Sequence, residues 1–171
     1  MKVSLGPVAL PIGVLVALTG CAASDASGSS EVTYQVAAIA DVKEVTQTSE
    51  SEVVNAIPSE SVTKVEQRPK GSLLSCRGDR NFRWAGGTDV HAVPGTDMDA
   101  AANELARSFV SRADWSVTRE ISTFGQPLVV LRNPAGEAIY ITFDADDSWI
   151  FVDSFSRCFH LRDDESPHGF Y

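Results

Sequence analysis

The sequence predicts an α+β fold: an antiparallel sheet of about six strands, a hairpin followed by a C-terminal meander, packed with two helices. Three observations predict it. Met98, Ala101 or Ala102, Leu105 and Phe109 recur at helical spacing behind Thr96 and Asp97. Residues 116–155 alternate apolar and polar side chains between closely spaced turn signals. A third stripe, through Val32, Val36, Ile39 and Val42, follows Ser30 and resumes at Val53 before Pro58 stops it.

Taken in order, the first helix is expected from Glu31, with Ser30 as its N-cap and Glu31 at its positive end. The polar run Thr46 to Ser51 interrupts its stripe, so one long helix and two short ones both fit up to Ile57. Ser59 to Gly71 is polar and reads as a connection, in part extended. Leu73, Leu74 and Cys76 open a strand region that continues through Phe82 and Trp84. Gly86-Gly87 then suits a two-residue hairpin turn, because both positions accept positive φ, with Asp89 to Val93 as the returning strand. The second helix starts at Thr96-Asp97 and ends near Asp114, with Trp115 packing its exit against the sheet. Four strands follow at Ser116–Ser122, Leu128–Leu131, Ala138–Phe143 and Trp149–Phe155. Ile139, Ile141 and Phe143 share one face of their strand and Tyr140 and Thr142 the other. The tail over 163–171, charged and then Pro- and Gly-bearing, reads as loose.

Ahead of this domain stands a leader. Lys2 supplies a positive start and Val8 to Leu18 an apolar run too short to cross a bilayer. Leu18-Thr19-Gly20-Cys21 resembles the lipobox of bacterial secreted lipoproteins. That resemblance implies that residues 1–20 are a signal peptide and that Cys21 is lipidated and becomes the first residue of the mature chain. Two or three acyl chains make a lasting anchor where one does not. Residues 22–30, small and polar, then form a flexible tether to a single extracytoplasmic domain at 31–162. The expected place is the cell membrane, lipid-anchored and facing outward.

The formal charge of −9 argues against nucleic acid as a partner and against adhesion to anionic lipid by charge alone. Cys21 being spent on lipid, export to an oxidising compartment makes Cys76 and Cys158 one structural disulfide. The order Leu73-Leu74-Ser75-Cys76, Trp84-Ala85-Gly86-Gly87, a helix ending before Trp115, and Ser154-Phe155-Ser156-Arg157-Cys158-Phe159 is similar to a group of small actinobacterial lipoproteins of unknown function. The resemblance implies a location and a fold and carries no catalytic residues.

Chemistry is sparse. His91, His160 and His168 are the general-base or metal candidates, but no HExxH pattern joins them, and neither a metal nor a cofactor is expected. Asp144, Asp146 and Asp147 lack the glycine and distal glutamate of a calcium loop and read as a hairpin turn. No Gly-x-Ser-x-Gly elbow, P-loop or dinucleotide fingerprint occurs. The last long strand is apolar on both faces, which a one-sided sheet does not need unless that strand is central or the helices cover different faces. Tyr140, Trp149 and Phe151 are therefore a candidate binding patch for an envelope protein or an apolar ligand. The sequence favours a lipid-anchored binding or scaffolding module; the alternative is an envelope enzyme centred on His91 or His160.

Overall fold

The computed structural model describes residues 33–171. The expected signal peptide, the expected lipidation site Cys21, the expected tether and the expected helix start at residues 30–32 lie outside the described residues. Those described fold as an α+β domain with two helices and a mixed, mostly antiparallel sheet of nine strands. In chain order these are β1 (Val36–Ala37), α1 (Ile39–Asn55), a single 3₁₀ turn at Ser59–Ser61, β2 (Val62–Gln67), β3 (Ser72–Ser75), β4 (Asn81–Ala92) and α2 (Met98–Val110). The meander β5 (Ser116–Ile121), β6 (Pro127–Arg132), β7 (Ala138–Asp144) and β8 (Trp149–Phe155) follows, and β9 (Phe159–Leu161) closes the sheet. The spatial order is β1-β9-β4-β8-β7-β6-β5, with β2 and β3 both paired to the other edge of β4.

α1 is one helix, and the reason lies in its polar interruption. Ile39, Val42, Thr46, Glu50 and Val53 are its buried residues, so the stripe passes straight through Thr46 and Glu50. Thr46 Oγ1 donates back to the Val42 carbonyl at 2.9 Å. Glu50, fully buried, receives Thr88 Oγ1 and Gln67 Nε2 at 3.0 Å each on Oε2, and the Ser154 hydroxyl on Oε1. Three donors from β2, β4 and β8 thus replace water around one carboxylate, as a buried charge requires. The helix begins later than its sequence suggests. Val36 leaves the stripe to pair in parallel with His160, and the Ile39 amide at the helix start donates to Glu165 Oε1, a partner 126 residues away.

The Gly-Gly hairpin expected at Gly86-Gly87 is not formed; β4 runs through both residues as a twelve-residue strand. The glycines serve close approach instead. A Cβ on Gly86 would stand 1.9 Å from Cη2 of the wholly buried Trp84, and one on Gly87 would stand 2.3 Å from the Val152 carbonyl. Trp84 lies across Gly86 and joins Ile39, Val42, Phe159 and Leu161 in a small core at this end of the sheet. Part of the expected connection at 59–71 is also a strand, β2, running antiparallel to the second half of β4.

α2 follows expectation. Asp97 caps it by accepting from the Ala100 amide at 2.9 Å, and Met98, Ala101, Ala102, Leu105 and Phe109 are buried. Trp115 meets Phe109 edge-on at 6.3 Å. Both helices lie on one face: α1 over β4 and β8, α2 over β5 to β7. The main core is Val53 and the α2 stripe against Val90, Val129, Leu131, Ile139, Ile141, Phe143, Ile150 and Val152. The Cys76–Cys158 disulfide links the end of β3 to the β8–β9 connection. The segment over 163–171 is not loose here. Tyr171 exchanges two backbone hydrogen bonds with Gly71 at 2.7 and 3.0 Å, and its ring packs on the small core.

Candidate binding face

With both helices on one side, strand alternation delivers a fixed set of side chains to the other. The register writes that face out in rows. Arg132, Ala138, Phe155 and Ala85 align across β6, β7, β8 and β4; next come Val130, Tyr140, Asp153 and Gly87; then Leu128, Thr142, Phe151 and Asp89. Asp144, Trp149 and His91 close the series. β8 is central between β4 and β7, and it carries Ile150 and Val152 into the core and Trp149, Phe151 and Phe155 onto this face.

The rings are ordered by one another. Trp149 and Phe151 lie parallel with centroids 5.6 Å apart, and His91 packs on Trp149 at 3.9 Å. Tyr140 meets Phe155 edge-on at 5.6 Å, while the Arg132 guanidinium lies 5.4 Å from the Tyr140 centroid and donates to its hydroxyl at 2.8 Å. The three patch residues named from the sequence thus share one face: Trp149 and Phe151 touch, and Tyr140 sits one strand over against Phe155. All are half-buried rather than sealed.

A groove of about 440 Å³ runs over this face, walled by Leu74, Leu128, Tyr140 and Phe155 with Arg83, Thr142 and Asp153 among its polar positions. Asp153 is committed, because Arg68 Nη2 reaches it at 2.9 Å and Asp89 at 3.0 Å. Burial works against the Arg68 cation, but the Asp153 and Asp89 carboxylates outweigh it and hold the guanidinium more firmly charged than usual. Arg83 makes no ion pair among the described residues; its guanidinium lies 3.7 Å from Cys158 Sγ. Comparison with protein families, curated proteins and solved structures found no match for this chain. The site must be read from its own chemistry.

The histidines do not come together. His91, at the end of β4, bonds through Nε2 to Glu66 Oε2 at 2.8 Å; His160 pairs with Asn81 at the strand's start and bonds to its side chain through Nδ1 at 3.0 Å. Ten strand residues separate the two sites, roughly 33 Å at about 3.3 Å per residue. His168 lies in the segment after β9. Among the described residues no three His, Cys, Asp or Glu side chains are grouped to hold a metal. Asp144 is used in its own turn, accepting the amides of Asp146 and Asp147 at 3.0 and 3.3 Å.

Sequence reasoning missed Arg68, Arg83, Leu74 and Leu128. Phe155 was legible by alternation with Phe151, but Arg68 comes from a polar stretch with no period, and only the pairing of β2 with β4 lays it over Gly87.

A second hollow, about 480 Å³, lies between α1 and the β6–β7 turn, with Asp41, Thr46, Asn133, Glu137 and Arg157 in its wall. Glu137 is buried there. Its Oε2 accepts from Asn133 Nδ2 at 2.9 Å, while Oε1 is buried without a partner among the described residues. Burial raises its carboxyl pKa; the Asn133 amide works the other way, and the charges of Glu52 and Glu50 add to the rise. A raised native pKa means that ionisation costs stability as pH climbs from the ordinary carboxyl value through the native one. Glu137→Gln keeps the Asn133 bond and removes the charge. Its melting temperature at pH 7 should exceed wild type by roughly 2–4 °C, and the gain should vanish at about pH 3, where the carboxyl is protonated in both the native and the unfolded chain. A gain that persists unchanged at that acid pH would show that packing rather than charge is responsible.

Proposed function

We propose that the protein is a lipid-anchored module of the cell envelope, held through Cys21 on the outer side of the cell membrane, that binds an apolar ligand with an anionic head on the open face of its sheet. The observation that carries this reading is the uncovered groove: apolar walls from Leu74, Leu128, Tyr140 and Phe155, with Arg83 present and uncommitted to any carboxylate of the described residues. An apolar body would displace water from the rings, and a carboxylate or phosphate would meet a guanidinium that no carboxylate of the described residues pairs with. No helix of the described residues is long and apolar enough to cross a membrane. The lipobox resemblance at Leu18 to Cys21 supports lipid as the anchor.

Calorimetric titration of the full chain in detergent-free nanodiscs tests the ligand class. Dodecanoate should bind saturably, whereas dodecyltrimethylammonium should bind at least tenfold more weakly. Arg83→Ala should weaken dodecanoate about tenfold, the scale of one charge-assisted pair. Equal binding of both head groups would remove the anionic reading, and binding of neither would remove the ligand. The address is read separately, by fractionating wild type and Cys21→Ala from a bacterial host: wild type should sediment with membrane and the variant should be released.

A further inference from the structure

A second surface, on residues separate from the groove and independent of the reading above, carries an inference of its own. The β3–β4 hairpin turns through Cys76-Arg77-Gly78-Asp79-Arg80, and Arg77, Gly78 and Asp79 at its tip are all exposed. Among the described residues neither the Arg77 nor the Asp79 side chain makes an ion pair. Everything around these three residues is fixed. The Cys76 amide donates to the Asn81 carbonyl at 2.8 Å, closing the turn, and Asn81 Nδ2 donates to the Arg77 carbonyl at 2.9 Å. The disulfide ties the N-terminal side of the loop to the β8–β9 connection.

The C-terminal side is held from behind. Arg80 is in the left-handed region at φ 52°, uncommon for a side chain of its size. Its Nη2 donates to the Arg162 and Glu165 carbonyls at 2.6 and 3.2 Å, and its own carbonyl accepts from the Leu161 amide at 2.8 Å. Gly78 is also left-handed, at φ 92°, and a Cβ there would stand 2.7 Å from the Asn81 amide nitrogen that holds the turn. The loop is thus built rigid around two opposite charges that the domain itself leaves unused. A loop ordered before binding loses less conformational entropy on docking.

We propose that the Arg77-Gly78-Asp79 tip is a docking element for a receptor that holds a divalent cation beside an acidic cleft. The Asp79 carboxylate would complete the coordination of the receptor's cation, the Arg77 guanidinium would pair with a carboxylate in the cleft, and the side-chain-free Gly78 lets the receptor surface approach between them. A purified integrin headpiece loaded with a divalent cation is the probe for the test.

Immobilised full chain in detergent is titrated with a purified integrin headpiece in Mn²⁺. Saturable binding is expected, abolished by EDTA and competed by a linear Arg-Gly-Asp peptide. Asp79→Glu, which moves the carboxylate by one methylene, and Gly78→Ala, which displaces Asn81, should each weaken binding at least tenfold. The melting temperature of Asp79→Glu should match wild type, because that side chain bonds to nothing within the described residues; this separates recognition from folding. Absence of saturable binding by the folded wild type overturns the proposal, as does binding that survives EDTA or Asp79→Glu.

Discussion

Reducing the Cys76–Cys158 disulfide is expected to destabilise the domain by roughly 4–5 kcal/mol and to lower its melting temperature on the order of 15 °C. The two cysteines are 82 residues apart, and the constraint on the unfolded chain grows with the logarithm of that separation. The bond also holds β3, which among the described residues pairs only with β4, to the segment that leads into β9. Thermal melts by circular dichroism with and without a phosphine reductant read the effect directly, and Cys76→Ser with Cys158→Ser should reproduce the reduced curve. A fall below about 5 °C would mean that the reduced, unfolded chain is already compact over this loop.

The second large effect is at Gly86. Gly86→Val should destabilise by roughly 3–5 kcal/mol, since a side chain there drives into a tryptophan that has no free space to enter. Trp84 is wholly buried and is held by Ile39, Val42, Phe159 and Leu161, so the indole cannot swing aside without opening the contact between α1 and β9. The cause is tested by a double-mutant cycle. Trp84→Ala alone leaves a cavity, at a cost of about 3–5 kcal/mol, but in that background Gly86→Val should cost almost nothing further. Additive losses would place the constraint on the backbone of β4 instead of on the indole.

Both effects bear on how much of this molecule its sequence shows. The α2 stripe, its Asp97 cap and the meander from Ser116 to Phe155 were legible because each is encoded locally, by spacing of 3.6 or 2 residues between turn signals. Gly86-Gly87 misled because glycine permits a turn and also permits close packing; nothing in the neighbouring residues says that an indole two positions back will lie across the strand. Thr46 and Glu50 misled for a related reason. A polar residue reads as solvent-facing unless its donors are known, and those of Glu50 come from Gln67, Thr88 and Ser154. The first helix was placed too early because its start depends on Glu165, near the far end of the chain.

The candidate binding face divides along the same line. Alternation alone assigned Tyr140 to the face opposite Ile139 and Ile141, and Trp149 and Phe151 to the face opposite Ile150 and Val152. Whether those faces are covered depends on where the helices go, and both went to one side. Arg68 and Arg83 reached the open face through pairing of β2, β3 and β4, strands whose register depends on the whole sheet.

By itself, then, the sequence determined an α+β class, the second helix, the meander and the alternating faces of β7 and β8, because these follow from local periodicity. Tertiary structure alone decided that β4 runs unbroken over Gly86-Gly87, that Glu50 is buried and satisfied, and that the described residues leave one sheet face uncovered. Each of those depends on contacts between residues far apart in the chain, whose partners no local pattern specifies.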